Sequence, residues 1–190
     1  EFTFTTNVQN VVRSEDDPFY IGNLPAPETF YHGTAGTTAR ATQEIAWQGR
    51  YVTDMGQVIV PFASVRGDAF FMNGQSAAAM GNGLTGDATA FRGMPTVGVE
   101  ASWPILASMP GSTHIIEPIA QLIVRPNEMA AGTLPNNEAQ SLVFDTSNLF
   151  DRDKFSGFDR VEGGTRANLG VRYAGTFDNG ATIDGTFGQS

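Results

Sequence analysis

The sequence predicts an all-β chain, an antiparallel up-and-down meander of about seven long strands that forms a segment of a transmembrane β-barrel. Three observations carry this prediction. Apolar and polar residues alternate at every second position, long connections alternate with tight turns, and 22 glycines and 10 prolines are spread over the 190 residues. Because glycine and proline weaken helix interiors, the composition also favours strands and turns.

The strands follow one another along the whole chain. They are predicted at 2–8, 41–51, 59–71, 97–103, 113–125, 165–173 and 182–187. In the strand at 165–173 every odd position is apolar or neutral, whereas the even positions carry polar residues or glycine. Several strands reach the length of about 9–11 residues that a tilted membrane-spanning strand needs. Strands of ordinary globular sheets are usually shorter.

The connections between the strands alternate in length. Long polar or glycine-rich segments occupy 13–37, 72–93 and 126–159, and short ones occupy 53–56, 104–112 and 178–180. In a meander this order places the long loops at one end of the sheet and the tight turns at the other, as in outer-membrane barrels. A soluble sandwich with Greek-key crossings mixes the two kinds of connection. The pair Asn179 and Gly180 predicts a type I′ hairpin turn.

Alternation along barrel strands divides the residues between lipid and lumen. The polar positions predicted to face the lumen, where they would contact sugars, are Arg66, Asp68, Glu117, Gln121, Arg166 and Arg172. Aromatic residues on the apolar face near the tight turns are predicted to lie at the lipid interface, where aromatic girdles form. They are Tyr51, Trp103 and Tyr173.

The residue types argue against several functions. The chain has no cysteine, which excludes disulfides, thiolate metal sites and cysteine catalysis. A net charge of −9 disfavours nucleic-acid binding. Neither His32 nor His114 has a second ligand at metal spacing, so both are interpreted as structural. We find no catalytic, cofactor or metal motif and predict that the chain is not an enzyme. The acidic stretch 145–159 is interpreted as a solvated loop, and divalent-cation binding there stays open.

Two segments resemble motifs of one family. The run 114–121, HIIEPIAQ, resembles the H-x-x-E-P-x-A-Q block of the LPS-assembly protein LptD family, also called organic solvent tolerance proteins. The run 155–168, FSGFDRVEGGTRAN, resembles the S-G-x-D-R-x-E-x-x-x-R block of the same family. Both segments occur in the family's order, separated by one long loop. The rest of the chain fits by architecture more than by motif.

The resemblance implies a function in lipopolysaccharide (LPS) transport. Family members form a large barrel in the outer membrane of Gram-negative bacteria, with a periplasmic jellyroll domain that receives LPS from a protein bridge. A lipoprotein plugs the barrel, and LPS leaves between the first and last strands to reach the outer leaflet. The expected partners are therefore LPS, outer-membrane lipid, the plug lipoprotein and the LPS-bridge proteins. The family often contains disulfides, and this chain lacks cysteine.

The second motif also predicts a structural element. Ser156, Gly157, Asp159 and Arg160 lie where the last long loop meets the following strand. We expect Asp159 and Arg160 to act as a structural pair that fixes this loop to a strand.

An odd number of amphipathic strands with two open edges indicates part of a larger barrel, because lipid does not tolerate open edges. We expect residues 1–190 to form one partial barrel domain, without the jellyroll and the remaining strands. Two alternatives remain. A general porin-like diffusion barrel shares the architecture, and a soluble carbohydrate-binding β-sandwich is compatible with the periodicity.

Overall fold

A computed structural model describes residues 1–20, 29–77, 80, 86, 88–128, 133–138 and 148–190. Its eleven described strands are β1 (Phe2–Arg13), β2 (Asp17–Tyr20), β3 (Thr29–Gly33), β4 (Gly36–Gln48), β5 (Tyr51–Val52), β6 (Val58–Asn73), β7 (Ala88–Ser102), β8 (Ile105–Met109), β9 (Ser112–Val124), β10 (Arg166–Phe177) and β11 (Thr182–Gln189). No helix in these ranges is long and apolar enough to cross a membrane.

Seven long strands form one antiparallel meander, which confirms the predicted fold class. Their order is β1-β4-β6-β7-β9-β10-β11, with β5 paired to β6 and β8 paired to β9. The sheet does not close on itself among the described residues, and its long strands and alternating faces are consistent with a barrel segment. Each long strand overlaps a predicted one, because period-two alternation is a local property of the sequence.

Three predicted connections contain more strand than expected. The short connection 104–112 holds β8 (Ile105–Met109), which pairs with β9. The connection 13–37 holds the separate hairpin β2–β3, whose register shifts between Asp17 and Pro18. Its sequence has aromatic pairs at 19–20 and 30–31, which favour strands despite the surrounding prolines and acids. β7 begins at Ala88, inside the predicted loop 72–93. The first part of β7 contains alanine, threonine and glycine, so neighbouring residues there differ little in hydrophobicity. The strand start predicted from alternation is therefore too late in the sequence.

The predicted type I′ turn at Asn179 and Gly180 is wrong. A type I′ turn needs positive φ at both residues, and among the described residues only glycines have positive φ. Gly180 has φ 84°, its amide donates to Phe177 O, and Phe177 N donates to Ala181 O. This is a three-residue loop with glycine in the left-handed position. The turn before β6 is built in the same way, with Gly56 at φ 81°.

The two faces of the sheet differ sharply in exposure. The apolar face carries exposed side chains such as Phe4 at 68% and Phe91 at 78% exposure. The polar face, by contrast, buries Arg40 to 2% and Asp68 to 3%. A soluble sheet buries its apolar face, so this sheet has the opposite arrangement.

The β9–β10 loop spans residues 125–165, and its described parts (125–128, 133–138 and 148–165) cover part of the polar face. Apolar residues of the sheet and the loop are buried between the two layers: Phe62, Phe70, Met72, Met94, Ile119 and Ile123 from strands, and Leu134, Leu149 and Val161 from the loop. Leu134 packs in one cluster with Phe70 and Met72. The loop therefore has its own apolar contacts with the strands.

The strands are offset along the sheet. β7 pairs with β6 over its whole length, but with β9 only from Val97 to Ser102. β1 and β4 thus lie towards the long-loop end and β9 to β11 towards the tight-turn end, as strand tilt and shear in a barrel require. The polar face of β4, β6 and β7 near the long loops is where the β9–β10 loop docks.

Candidate functional site

The candidate site is the contact between the β9–β10 loop and the polar face of β4, β6 and β7. Polar and charged residues are buried there in an unusual number, since arginine and aspartate are rarely buried unless paired. From the strands and the end of β9 they are Arg40, Thr42, Arg66, Asp68, Arg92, Thr96, Gln121, Arg125 and Asn168, and from the loop Lys154 and Asp159.

Asp68 is the centre of the strand side of the site. The register places Thr42 and Arg92 directly opposite Asp68 on the two neighbouring strands. Its carboxylate accepts hydrogen bonds from Thr42 Oγ1 at 2.6 Å, Arg92 Nε at 2.8 Å and Arg66 Nη2 at 3.0 Å. Two guanidinium groups share this one carboxylate, so the strands present a surplus of positive charge to the loop.

The loop supplies the compensating negative groups. Asp159 forms an ion pair with Arg40, whose other nitrogen contacts Glu138 at 3.2 Å. Glu128 pairs with Arg92. Because buried charges are costly unless they are paired, these contacts tie the loop to β4 and β7.

Main-chain carbonyls of the loop complete the coordination. Arg92 donates from Nη1 to Asp159 O at 2.8 Å and from Nη2 to Phe158 O at 2.9 Å. Arg66 also donates to Phe158 O. The Phe158 ring lies beneath two guanidinium groups, 5.3 Å from Arg66 Cζ and 5.6 Å from Arg40 Cζ. Cation–π attraction is strongest where water is excluded, as it is here.

Asp159 links the strands to the backbone of the loop. Besides Arg40, its carboxylate accepts the backbone amides of Asn137 at 2.6 Å and Glu138 at 2.9 Å, so it also shapes the loop. Arg160, which the sequence paired with Asp159, makes no hydrogen bond or ion pair within the described part of the chain. The strand partner is therefore Arg40, which lies 119 positions earlier in the sequence.

The other two predicted residues of the second motif, Ser156 and Gly157, are both exposed, but only Gly157 has a backbone conformation that restricts the residue type. Gly157 has φ 95°, and a Cβ there would lie 2.7 Å from Glu138 Cβ. Only glycine fits this position without strain. Ser156 is exposed, and the described contacts assign it no partner.

A second set of contacts holds the base of the loop. Arg125 donates to Glu162 O at 2.7 Å, Arg166 donates to Asp151 O at 2.6 Å, and Arg152 donates to Gln48 Oε1 at 2.8 Å. Arg166 also pairs with Glu162. Burial raises the pKa of the Asp153 carboxyl, and burial lowers the pKa of the Lys154 ammonium. The loop base is therefore desolvated as well as hydrogen-bonded.

The predicted lumen-facing residues fall into two groups on the polar face. Arg66, Asp68 and Gln121 are buried beneath the loop, and Arg166 lies at the base of the loop. Glu117 and Arg172 lie beyond the loop, towards the tight turns, where they face each other in register at 3.0 Å. The Arg172 side chain is 53% exposed. That these residues face a lumen remains a prediction.

The first motif has separate roles on the two faces. Gln121 joins three groups on the polar face: its amide nitrogen donates to Glu100 at 2.9 Å and Phe150 O at 2.8 Å, and its oxygen accepts from Asn168 at 2.7 Å. His114 contacts Tyr173 Oη at 2.8 Å and Ser112 Oγ at 2.9 Å. This histidine therefore has two side-chain partners near a tight turn.

The three predicted interface aromatics lie at the tight-turn end of the sheet. Tyr51 is 59% and Trp103 37% exposed, and Trp103 Nε1 donates to Met55 O at 3.0 Å. Tyr173 stacks on His114 with 6.0 Å between ring centroids. An apolar ring with a satisfied polar tip suits a membrane interface, and their contact with lipid remains a prediction.

No group of three or more histidine, aspartate or glutamate side chains in the described ranges could hold a metal ion. Part of the acidic stretch 145–159, including Asp145, lies outside these ranges, as does the side chain of His32.

Sequence analysis missed three contributors to the site. Arg40 and Arg92 were not candidates, and Arg92 fell inside a predicted loop. Phe158 was part of the second motif segment, but no role was predicted for it. Their spacing offered a signal. Arg92, Met94 and Thr96 occupy every second position of β7, which places all three on its polar face.

Comparison with known proteins agrees with the architecture and the motifs. A family model described as "LptD: LPS transport system D" matches residues 1–190, the whole chain. A search of curated proteins finds no match. The family match includes both motif segments and all seven long strands. The chain belongs to the LptD family, a family of LPS transport and outer-membrane biogenesis proteins rather than of enzymes.

Proposed function

We propose that residues 1–190 form part of the barrel wall through which LPS reaches the outer leaflet of a Gram-negative outer membrane. The proposal rests on the family match together with a sheet that exposes its apolar face and buries its polar face. A bilayer would cover the exposed apolar face, and the docked loop would lie on the lumen side. The chain would be one partial barrel domain of a larger protein.

The sorted connections support an orientation. Outer-membrane barrels have long extracellular loops and short periplasmic turns. The β9–β10 loop would then lie towards the cell exterior, and the tight turns near Tyr51, Trp103 and Tyr173 towards the periplasm. LPS-bridge proteins would approach from the side of the tight turns.

An amphipathic lipid needs a polar route for its sugars and an apolar route for its acyl chains. Glu117 and Arg172 are the predicted lumen residues that the loop leaves accessible, so we propose them as sugar contacts near the periplasmic entrance. Arg66, Asp68, Gln121 and Arg166 would act indirectly, by holding the loop. The plug lipoprotein would occupy the rest of the lumen.

Reconstitution of the parent protein tests this proposal. Proteoliposomes would contain the complete barrel with its plug lipoprotein and bridge proteins, and the assay would measure labelled LPS that reaches the membrane. Transport that depends on the barrel is the expected result. A steady ion current across a planar bilayer without LPS transfer would contradict it and favour the porin-like alternative.

Trp103 gives a direct test of the membrane boundary. We expect its fluorescence to be quenched by lipids brominated near the headgroup more than by lipids brominated at the chain ends, because its position beside a tight turn fits the interface. The measurement needs Trp47→Phe so that Trp103 is the one emitter within 1–190. Quenching by aqueous iodide, together with no quenching by either brominated lipid, would indicate a soluble sheet instead.

The ion pair of Glu117 with the half-exposed Arg172 gives a prediction with a small structural effect. Arg172→Ala is expected to change the free energy of unfolding by less than about 1 kcal/mol, because exposed ion pairs contribute little. It is expected to reduce LPS transfer in the reconstituted assay if the pair contacts sugars. A loss of folded barrel as large as the loss of transfer would contradict this assignment.

A further inference from the structure

Arg160 occupies a distinctive position on the docked loop. Its neighbours Asp159 and Val161 are both 4% exposed and packed towards the sheet, whereas Arg160 itself is only partly buried. Arg160 is thus the most accessible of three successive side chains, the other two of which are buried against the sheet.

The backbone on both sides of Arg160 is held in place. Arg92 donates to Asp159 O at 2.8 Å, and the Val161 amide contacts Glu128 Oε2 at 3.4 Å. Asp159 is also fixed by Arg40 and by the amides at 137 and 138. A guanidinium on such a support loses less conformational freedom on binding than one on a mobile loop.

Arg160 differs from the other arginines near it in having no hydrogen-bond or ion-pair partner in the described part of the chain. Arg40, Arg66 and Arg92 are each bound to carboxylates, and those at the loop base donate to carbonyl groups. Arg160 has no hydrogen bond or ion pair among the residues that the structure describes. An arginine has five donors, and the described residues use none of those of Arg160.

A second guanidinium is linked to the same part of the loop. Arg13, at the end of β1, donates from Nε to Asn137 Oδ1 at 3.1 Å and packs against Gly33, and its guanidinium makes no other hydrogen bond or ion pair within the described ranges. Asn137 in turn donates its backbone amide to Asp159. The adjacent acid Glu138 is already engaged by Arg40 and Gln9, so it does not neutralise either arginine directly.

We propose that Arg160, assisted by Arg13, binds phosphate groups of the transported glycolipid as it passes the docked loop. The inference rests on the proposed function, because it places Arg160 in the transport lumen. Guanidinium groups match phosphate with two parallel hydrogen bonds, whereas neutral sugar hydroxyls do not need a charged donor. Free inorganic phosphate shares this chemistry and is distinguished by experiment.

The test uses the complete barrel with its plug lipoprotein, purified in detergent. Binding of bisphosphorylated lipid A is compared with binding of the same lipid after removal of its phosphates. Arg160→Ala is expected to weaken binding of the phosphorylated lipid about tenfold and to leave the dephosphorylated lipid unchanged. Arg160→Lys should retain part of the affinity because it keeps the charge. Arg50→Ala, an exposed arginine at the tight-turn end, is the matched control and should bind like the wild type.

Three results would overturn the inference. Arg160→Ala could weaken both lipids equally, which would show a contact that does not read phosphate. Inorganic phosphate alone could bind with the affinity of the phosphorylated lipid, which would identify a free-phosphate site. The Arg160→Ala and Arg160→Lys variants could both fail to give folded barrel, which would make Arg160 a structural residue. Failure of the wild-type barrel to bind either lipid would instead contradict the proposed function itself.

Discussion

Asp159→Ala is expected to destabilise the folded barrel by about 3–5 kcal/mol, because it leaves the buried Arg40 without its main counter-charge. The structural reason is specific. Asp159 joins Arg40 of β4 to the backbone amides of 137 and 138, so one side chain connects a strand with two parts of the loop. The measurement is urea unfolding of the parent barrel in lipid vesicles, monitored by gel electrophoresis as the loss of the band of the folded protein.

A double substitution separates charge from packing. Arg40→Met with Asp159→Leu removes both charges and keeps apolar volume, and replacement of a buried ion pair in this way is often neutral or stabilising. We expect the double variant to recover a large part of the stability that Asp159→Ala loses. Asp151→Ala is the control, since its side chain is exposed on the same loop. Equal stability of Asp159→Ala and Asp151→Ala would contradict the role assigned to Asp159.

The strands could be predicted from sequence, because their signal is local. Alternation in β10, from Arg166 to Phe177, depends only on neighbouring residues, and the same is true of the other long strands. The two faces could be distinguished for the same reason: Leu169, on the apolar side of the alternation, is exposed, and Asn168, on the polar side, is buried.

The docking of the loop could not be predicted from the same signal. It depends on contacts between residues far apart, such as Arg40 with Asp159, and alternation contains no information about which loop covers which strand. The motif drew attention to Asp159 but not to its partner. Without knowledge of the register, the neighbouring Arg160 was the expected partner of Asp159. In the structure the strands instead bring Arg40, which is distant in sequence, next to the Asp159 carboxylate.

Turn types were only partly predictable. Asn179 followed by glycine is the usual sequence of a type I′ turn, yet Asn179 Oδ1 accepts the Ala181 amide at 2.9 Å and only Gly180 takes positive φ. An asparagine side chain that bonds to the backbone can stabilise a different turn with the same dipeptide. The position of the turn was correct because glycine is needed in both geometries.

Asp68→Asn is expected to have an effect similar in size to that of Asp159→Ala, about 3–5 kcal/mol, for a different reason. Asp68 is 3% exposed and is shared by Arg66 and Arg92, so its neutralisation leaves two buried guanidinium groups with one fewer counter-charge. The amide keeps the shape and one oxygen acceptor, which isolates the contribution of charge.

Asp184→Asn is the matched control for Asp68→Asn, because Asp184 is an exposed aspartate in a strand of the same sheet. We expect the control to unfold at the urea concentration of the wild type. Both Arg66 and Arg92 also donate to Phe158 O, so the loop should detach in Asp68→Asn before the strands unfold. Protease cleavage within 148–165 at urea concentrations that leave the strands intact would show this order. Cleavage only after global unfolding would show instead that the loop stays docked without the charge of Asp68, held by Asp159 and by the apolar contacts of Leu134, Leu149 and Val161.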